Sequence, residues 1–529
     1  MWATLCTLMD QLPLTELEHE VLPYIRTMTA RASSHQPRPL PRLWARRTKH
    51  LDNLPQLSLI NIFSLDAEQL AHHVIPDLLT YLQHHPTQTQ ALGFRGPIFQ
   101  ESATDINALI SQQENLNTLK LNNTHILNAL HPDHITPWCS HLHSLSLHEP
   151  NLTPGQFARF IQTPTLHTLA LGLPGHEEDA RTTIDILHHD TNLHKRLKKL
   201  EITGPTPWTS LGQRYHREHF DRLQLNQQHL LERQWKSLHT LTLREWNIPS
   251  SFSSSWRQFD LPELHTLRLE SCVLDDEAFL GIMRALKDSP LEHLHVVSCR
   301  VTWRGVKRVL DELDIRLNLK TLNLTANPLL AQHDIHQNLF HDALPWPKLE
   351  NLILASTALT MPETSYLEDE HGRPLFPALQ KLVISSCNVS EMAFYNLTRS
   401  EFPALRTFLA EELLDVHNTI QDPLSEQRQT RQLLSAQWLP QLGALSLPPL
   451  TWNHDSFQEL AATPFTHLQE LLVSKGNPPK EFIKQELISK ASWSHQLKLL
   501  RPETADAPHY DDRIAPMYHE LVHQTGAAF

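Results

Sequence analysis

Residues 291–305 read Leu291-Glu-His-Leu-His-Val-Val-Ser-Cys-Arg-Val-Thr-Trp-Arg-Gly305, and their first six positions follow the pattern L-x-x-L-x-L. Copies of this pattern, with Ile, Val or Phe in place of some leucines, recur along most of the chain. They begin at Leu116, Leu142, Leu166, Leu197, Phe220, Leu238, Leu264, Leu291, Leu319, Leu349, Leu379, Leu405, Leu442 and Leu468. The 352 residues from Leu116 to Leu468 contain thirteen intervals, which gives a period of about 27 residues. An earlier copy at Leu54 and a degraded one at Thr89 raise the expected number of turns to about 16.

The period predicts a strand followed by a helix in each copy. Alternate side chains of a strand share a face, so positions four and six point into a core while positions three and five point away from it. Such short strands bury their apolar side by stacking into a parallel sheet, and each needs a covered return path that is usually helical. A helix-capping residue type stands six residues after the last strand leucine in several copies, at Thr153, Asp275, Thr302, Thr360 and Ser390.

Residues 291–305 resemble the ribonuclease-inhibitor-like class of leucine-rich repeats. That class has Asn or Cys three residues after the last strand leucine and an α-helix at the end of each turn. Cys272, Cys299, Asn327 and Cys387 occupy this position, whereas other copies have Thr124, Pro150, Trp246 or Thr357 there. The resemblance covers roughly residues 54–475. It implies an α/β leucine-rich-repeat solenoid, a horseshoe of about 16 turns with a concave parallel β-sheet and helices on the convex side.

The ends of the chain depart from the repeat, and we predict three parts. Residues 1–50 form an N-terminal helical cap and a Pro-rich basic segment, because Leu14, Leu17, Val21, Ile25 and Met28 fall on one helical face. Residues 51–475 form the solenoid, and residues 476–529 form a C-terminal cap or tail. Within the solenoid, residues 363–372 and 411–437 are polar insertions, which on a rigid scaffold are either functional loops or tolerated drift.

Positions three and five of the strands are expected to line the concave surface. In the middle copies these outward residues become charged or aromatic, and toward the C-terminus position five becomes aliphatic. Arginine and aromatic residues beside exposed aliphatic ones are typical of protein interfaces, although mixed charges are also typical of a solvated face. The predicted binding residues are Arg222, Arg244, Glu245, Trp246, Arg268, Glu270, His293, His295, Ile353, Val383 and Leu409. We therefore expect a non-catalytic scaffold that binds a protein partner on its concave face.

Two other functions stay open at this point. Residues 12–44, with Leu12, Pro13, Leu17 and Trp44, loosely resemble an F-box, which would make the chain a substrate adaptor of a ubiquitin ligase. The stretch His519-Glu520-Leu-Val-His523 matches the zincin pattern H-E-x-x-H, in which two histidines one helical turn apart bind zinc and the glutamate acts as general base. There is no room downstream of His523 for a third zinc ligand. The pair His293 and His295 is a weaker metal candidate.

Composition restricts the class of partner and the cellular compartment that we expect for this chain. The net charge of −13 disfavours nucleic acid, whose binding needs a basic face. No apolar run reaches the ~18 to 20 residues that a membrane helix needs. The five cysteines are scattered and imply no disulfide framework, so a cytoplasmic location is expected, with delivery into another cell as an effector left open. No phosphate-binding or dinucleotide motif is present, so we expect neither a cofactor nor enzymatic activity. The sequence leaves the oligomeric state undefined.

Overall fold

The computed structural model describes the repeats in part and divides the chain into two compact units, with Leu238 as the last residue of the first and His239 as the first residue of the second. The described residues are 62–66, 91–95, 116–122, 141–147, 154–173, 177–204, 235–248, 261–299, 301–327, 330, 345–359, 367–369, 371–385, 387–389, 391–410, 423–447, 452, 454–473, 491–494, 497 and 499–502.

The first unit contains six described strands that follow one another in a parallel sheet, each paired with the next strand in the chain. The strands are β1 (Ile62–Asp66), β2 (Ala91–Arg95), β3 (Thr118–Asn122), β4 (Ser144–Leu147), β5 (Thr168–Gly172) and β6 (Lys199–Thr203). The described helices of this unit are α1 (Pro154–Ile161), α2 (Glu177–His189) and α3 (Thr191–Arg196).

The second unit contains ten described strands in one parallel sheet, again in chain order. These strands are β7 (Thr240–Arg244), β9 (Thr266–Glu270), β11 (His293–Val297), β12 (Thr321–Asn323), β13 (Asn351–Ile353), β15 (Lys381–Val383), β17 (Thr407–Leu409), β18 (Ala444–Leu447), β19 (Glu470–Val473) and β20 (Leu499–Pro502). Two-residue strands pair after the main strands, namely β8 (Asn247–Ile248) with β10 (Val273–Leu274), and β14 (Ala358–Leu359) with β16 (Asn388–Val389). The described α-helices of this unit are α4 (Asp276–Ala285), α5 (Trp303–Leu313), α6 (Glu391–Arg399), α7 (Pro423–Leu434) and α8 (His454–Ala462).

Positions four and six of the pattern form the core of both units, as the periodicity predicts. Leu169 and Leu171 of β5 are fully buried, and so is Val296 of β11. The strands are in register, so that Leu294 on β11 pairs with Leu267 on one side and with Leu322 on the other. Chain-order parallel strands with helical returns constitute a solenoid-like α/β fold.

A repeated turn ends the strands of the second unit. The residue five positions after the first strand residue has a positive φ in five copies, and its N–H donates to a carbonyl of the next copy at 2.8–2.9 Å. These residues are Glu245, Ser271, Ser298, Ala326 and Ser356. The left-handed conformation turns the chain out of the strand direction, which places the following residue inside the turn.

That following residue stands where the ribonuclease-inhibitor-like class has Asn or Cys. It is buried in every described copy of the second unit. Cys272, Cys299, Asn327, Thr357 and Cys387 are at most 2% exposed. The Cys299 N–H donates to Asn327 Oδ1 at 2.9 Å, and Asn327 Nδ2 donates to the carbonyl of Val296 at 2.7 Å. The buried side chains therefore satisfy backbone groups of the preceding copy, as buried polar groups must.

Two of the predicted helix starts are confirmed within the described residues. The side chain of Asp275 accepts the Ala278 N–H at 2.8 Å and begins α4, and Thr302 Oγ1 accepts the Gly305 N–H at 3.2 Å and begins α5. Asp276 joins these two helices, because its carboxylate accepts the Thr302 N–H at 2.8 Å.

The described strands extend the parallel sheet at both ends. The first described strand is β1 at residues 62–66, so its pattern begins at Ile60, six residues after the predicted copy at Leu54, which lies outside the described residues. At the other end, β20 pairs with β19, so the sheet continues into the predicted C-terminal segment 476–529. The predicted turn at Phe220 and the predicted cap at residues 1–50 lie outside the described residues.

Among the helices that the structure describes, none combines the length and the apolar character that spanning a bilayer requires.

Candidate functional site

The sheet of the second unit has a face opposite the leucine core, here called the non-core face, on which the third and fifth pattern positions align into two rows. The first row, from position three, contains Thr240, Thr266, His293, Thr321, Asn351, Lys381, Thr407, Ala444 and Glu470. The second row, from position five, contains Thr242, Arg268, His295, Asn323, Ile353, Val383 and Leu409. Most of the predicted binding residues therefore lie on one surface.

The second row is less exposed than the sequence predicts. Arg268 and His295 are each only 8% exposed, and Val383 and Leu409 are 2% and 4% exposed. The prediction that these four side chains are exposed is wrong, although their position on the non-core face is as expected. Strands about 4.8 Å apart bring the side chains of one row into direct contact. First-row residues such as His293 and Asn351 are half-buried and stay partly accessible to solvent.

An apolar cluster occupies the C-terminal half of the non-core face. Ala355, Val383 and Leu409 form its buried part, and the partly buried Ile353 and Leu472 pack against them. Burial of aliphatic side chains against one another accounts for the low exposure of Val383 and Leu409.

An ion pair lies at the exit of the first strands of this unit. Arg244 Nε and Glu270 Oε2 are 2.7 Å apart, and their side chains are 26% and 24% exposed. The next residue, Glu245, has a φ of 56°, and burial raises the pKa of its carboxyl group although Arg244 opposes the shift. The three side chains give this edge of the face a mixed charge that stays partly accessible.

Histidines and amides form a hydrogen-bonded group between the ion pair and the apolar cluster. His293 Nδ1 lies 2.9 Å from Thr321 Oγ1, which also accepts a hydrogen bond from Asn351 Nδ2 at 3.3 Å. His295 Nδ1 lies 3.5 Å from Asn323 Nδ2. Burial lowers the pKa of both histidines, and for His295, which also faces Arg268 and His293, the pKa falls well below its ordinary value. These contacts hold the imidazoles in place as neutral groups.

Lys381 is a first-row residue that sequence reasoning missed. It is 8% exposed, and burial lowers the pKa of its amine to about 8. Its neighbours in register are Asn351 and Thr407. The sequence signal for this residue was a lysine at a position that is otherwise mostly Thr, Ser or Asn. The repeat pattern does not predict that this lysine is buried.

Trp246 does not belong to the non-core face. It is 1% exposed and occupies the buried turn position that Cys272 has in the next copy, so the prediction that it faces outward is wrong. The physical reason is the left-handed Glu245 immediately before it, which turns the backbone and directs the indole into the core.

Other predicted residues lie outside the described part of the chain. These are Arg222, the F-box-like residues between 12 and 44, and the zinc candidates His519, Glu520 and His523. Among the described residues, no group of three or more His, Cys, Asp or Glu side chains is arranged to hold a metal ion.

Comparisons with known proteins give little further information. No family model and no curated protein matches the chain. Among solved structures, it is similar to a Bacteroides fragilis protein whose crystal structure was determined as a structural-genomics target. The identity is 13%, the match covers 55% of this chain and 75% of that chain, and the TM-score is 0.32. A likeness this distant defines neither a family nor a function.

Proposed function

We propose that the chain is a leucine-rich-repeat protein of the ribonuclease-inhibitor-like class, and that it binds a protein partner through the non-core face without catalysing a reaction. The class is supported by in-register L-x-x-L-x-L strands, by a left-handed residue at five strand exits of the second unit, and by a buried residue after it that is Cys, Asn or Thr in four of these five copies. In a horseshoe of that class, the non-core face is the concave inner surface.

The observation that carries the proposed function is the composition of that face. A partly exposed ion pair, a hydrogen-bonded polar group and an aliphatic cluster lie next to one another on strands that belong to one hydrogen-bonded sheet. Interfaces combine partly apolar centres with polar rims, and rigid presentation reduces the entropy lost on binding.

The described cysteines support a non-catalytic role. Cys272, Cys299 and Cys387 are buried free thiols. Burial raises the pKa of Cys387 to about 11, so this thiol is protonated at neutral pH. A protonated, inaccessible thiol is a poor nucleophile, and the three residues instead donate hydrogen bonds to strand carbonyls.

The test is affinity capture with the full chain, comparing two doubly substituted variants. The first carries Arg244→Glu and His293→Glu, which reverse or add charge on half-exposed residues of the non-core face. The control carries Arg284→Glu and Arg308→Glu, two helix arginines whose side chains are 48% and 40% exposed. Immobilised proteins are incubated with lysate of the source cells, and bound proteins are quantified by mass spectrometry.

We expect a specific set of proteins whose recovery falls at least tenfold with the first variant and stays within twofold of wild type with the control. Melting temperatures of both variants are measured alongside, so that unfolding is distinguished from loss of contact. Equal recovery with the first variant would place binding on another surface.

A further inference from the structure

Lys381 lies at the boundary between the polar and apolar parts of the non-core face. It shares β15 with Val383, two residues away and therefore on the same face. Val383 pairs in register with Ile353 on one neighbouring strand and with Leu409 on the other. The side chain of Lys381 therefore lies on the same face of the sheet as the apolar cluster.

No hydrogen bond or ion pair joins the Lys381 amine to any residue that the structure describes. The charge that acts on it from the described residues is Glu470, and the sheet places β17 and β18 between the two. The residues beside it in the first row, Asn351 and Thr407, carry no charge. Lys381 is 8% exposed as a whole residue, and an ammonium group that makes no direct ion pair with a described residue is unfavourable for the folded chain alone, because proteins normally pair buried charges.

We propose that Lys381 anchors a carboxylate of the protein partner, and that Ile353 and Leu472, the partly exposed members of the apolar cluster, receive an aliphatic side chain next to that carboxylate. The partner segment is then acidic and aliphatic, with both groups within a residue or two of each other. This inference rests on the proposed function, because it names the chemistry that the non-core face recognises.

Charge and surroundings favour a carboxylate over a phosphate. A phosphate is usually held by several donors, often by arginine in a bidentate pair. Lys381 supplies one ammonium group, its row neighbours Asn351 and Thr407 are uncharged, and the adjoining cluster is aliphatic. A single carboxylate satisfies this site, and the aliphatic surface adds binding energy through burial.

The first experiment uses N-acetyl-leucine, which carries a carboxylate and one aliphatic side chain, with N-acetylleucinamide as its uncharged match. The full chain is labelled with ¹³C-lysine, and the Lys381 Cε resonance is assigned by its loss in the Lys381→Met variant. We expect N-acetyl-leucine to raise the titration midpoint of Lys381 by at least half a pH unit and the amide to leave it unchanged. The same lysine shift with both compounds, or with neither, would overturn the inference.

Binding of N-acetyl-leucine is also expected to weaken as pH rises through about 8, since the unliganded amine loses its proton there. The carboxylates of Glu411 and Glu412 belong to the chain itself and could bind Lys381 in place of a partner. A Glu411→Gln/Glu412→Gln variant tests this alternative. N-acetyl-leucine binding that appears only in that variant would assign the site to this chain rather than to a partner.

The second experiment measures recovery of the proteins captured by the full chain. Lys381→Met is expected to reduce their recovery at least tenfold. The control Lys348→Met removes an exposed lysine that bonds to Asn318 and is expected to change nothing. If recovery depends on Arg244 and His293 but not on Lys381, the proposed function stands and this inference fails. If Lys381 binds N-acetyl-leucine but substitution of these three residues leaves recovery of the captured proteins unchanged, the anion site is real and the proposed function fails.

Discussion

Asn327 and Cys299 occupy the same position in consecutive repeats, and the side chain of one satisfies the backbone of the other. The Cys299 N–H donates to Asn327 Oδ1 at 2.9 Å, and Asn327 Nδ2 donates to the carbonyls of Val296 at 2.7 Å and Leu324 at 2.6 Å. Asn327 is completely buried, so no water replaces these bonds when the side chain is removed. The turn position is therefore a structural link between copies.

Asn327→Ala is expected to lower the free energy of unfolding by about 2–4 kcal/mol, because it leaves a buried N–H and two buried carbonyls unsatisfied. Asn327→Cys is expected to lose less, since Cys occupies this position at 272, 299 and 387 and donates to carbonyls there. Urea unfolding monitored by circular dichroism measures both. The half-buried Asn351→Ala serves as control, and equal losses at 327 and 351 would contradict the linking role.

Gly305 is required by its neighbour in the preceding repeat. A β-carbon on this helix residue would overlap the side chain of Asp276, which is fixed by its hydrogen bonds to Thr302. Gly305→Ala should therefore lower the melting temperature, although the same change usually stabilises a helix. Gly155 in α1 is the matched control, because nothing lies within 4 Å of its added β-carbon. Gly155→Ala is expected to raise stability by about 0.5 kcal/mol.

A double-mutant cycle tests the stated cause. In an Asp276→Gly background, Gly305→Ala should cease to destabilise, since both the carboxylate and the β-carbon that obstruct the added methyl group are gone. A loss of the same size in both backgrounds would show that some other contact restricts Gly305.

The repeat pattern predicted most of the described strands, because positions four and six must be buried for short strands to stack. The first described strand follows the copy Ile60-x-x-Phe63-x-Leu65 and not the predicted copy Leu54-x-x-Leu57-x-Leu59. Both satisfy the pattern, and only pairing with β2 distinguishes them. Burial of Trp246 could have been predicted, because it stands at the same offset as Cys272 and Cys299.

Exposure on the non-core face could not be predicted in the same way. The burial of Arg268, His295 and Val383 depends on side chains that come from strands a full repeat away. The pattern defines which face a residue occupies, but the lengths of its neighbours decide whether solvent reaches it. That Lys381 makes no direct ion pair with a described residue is a property of the assembled sheet for the same reason.

His295 should make the folded chain sensitive to acid. Burial lowers its pKa well below 6.5, with Arg268 and His293 adding repulsion, so the unfolded state binds more protons as pH falls through 6.5. Stability is therefore lost below about pH 6.5. Between pH 7.5 and pH 5.5, His295→Gln should reduce this loss by about 1 kcal/mol relative to wild type. Urea midpoints at the two pH values measure the difference.

The exposed His239 provides the control for that measurement. His239→Gln is expected to leave the wild-type acid response unchanged. If His295→Gln and wild type lose equal stability between the two pH values, the imidazole of His295 is not held in a neutral form by the fold.

Lys381 should reduce stability at neutral pH. Its folded-state pKa of about 8 lies below the ordinary 10.5, so between these values the unfolded state binds more protons and wild-type stability rises with pH. Below pH 8 the penalty is complete, and Lys381→Met is expected to raise the free energy of unfolding at pH 7 by roughly 2 to 3 kcal/mol. The gain should shrink toward pH 10.5, whereas Lys348→Met should give no gain at either pH. If Lys381→Met gains stability and loses its acidic ligand, Lys381 is a residue retained for binding at a cost to folding. If Lys381→Met is destabilised, the lysine serves the fold instead.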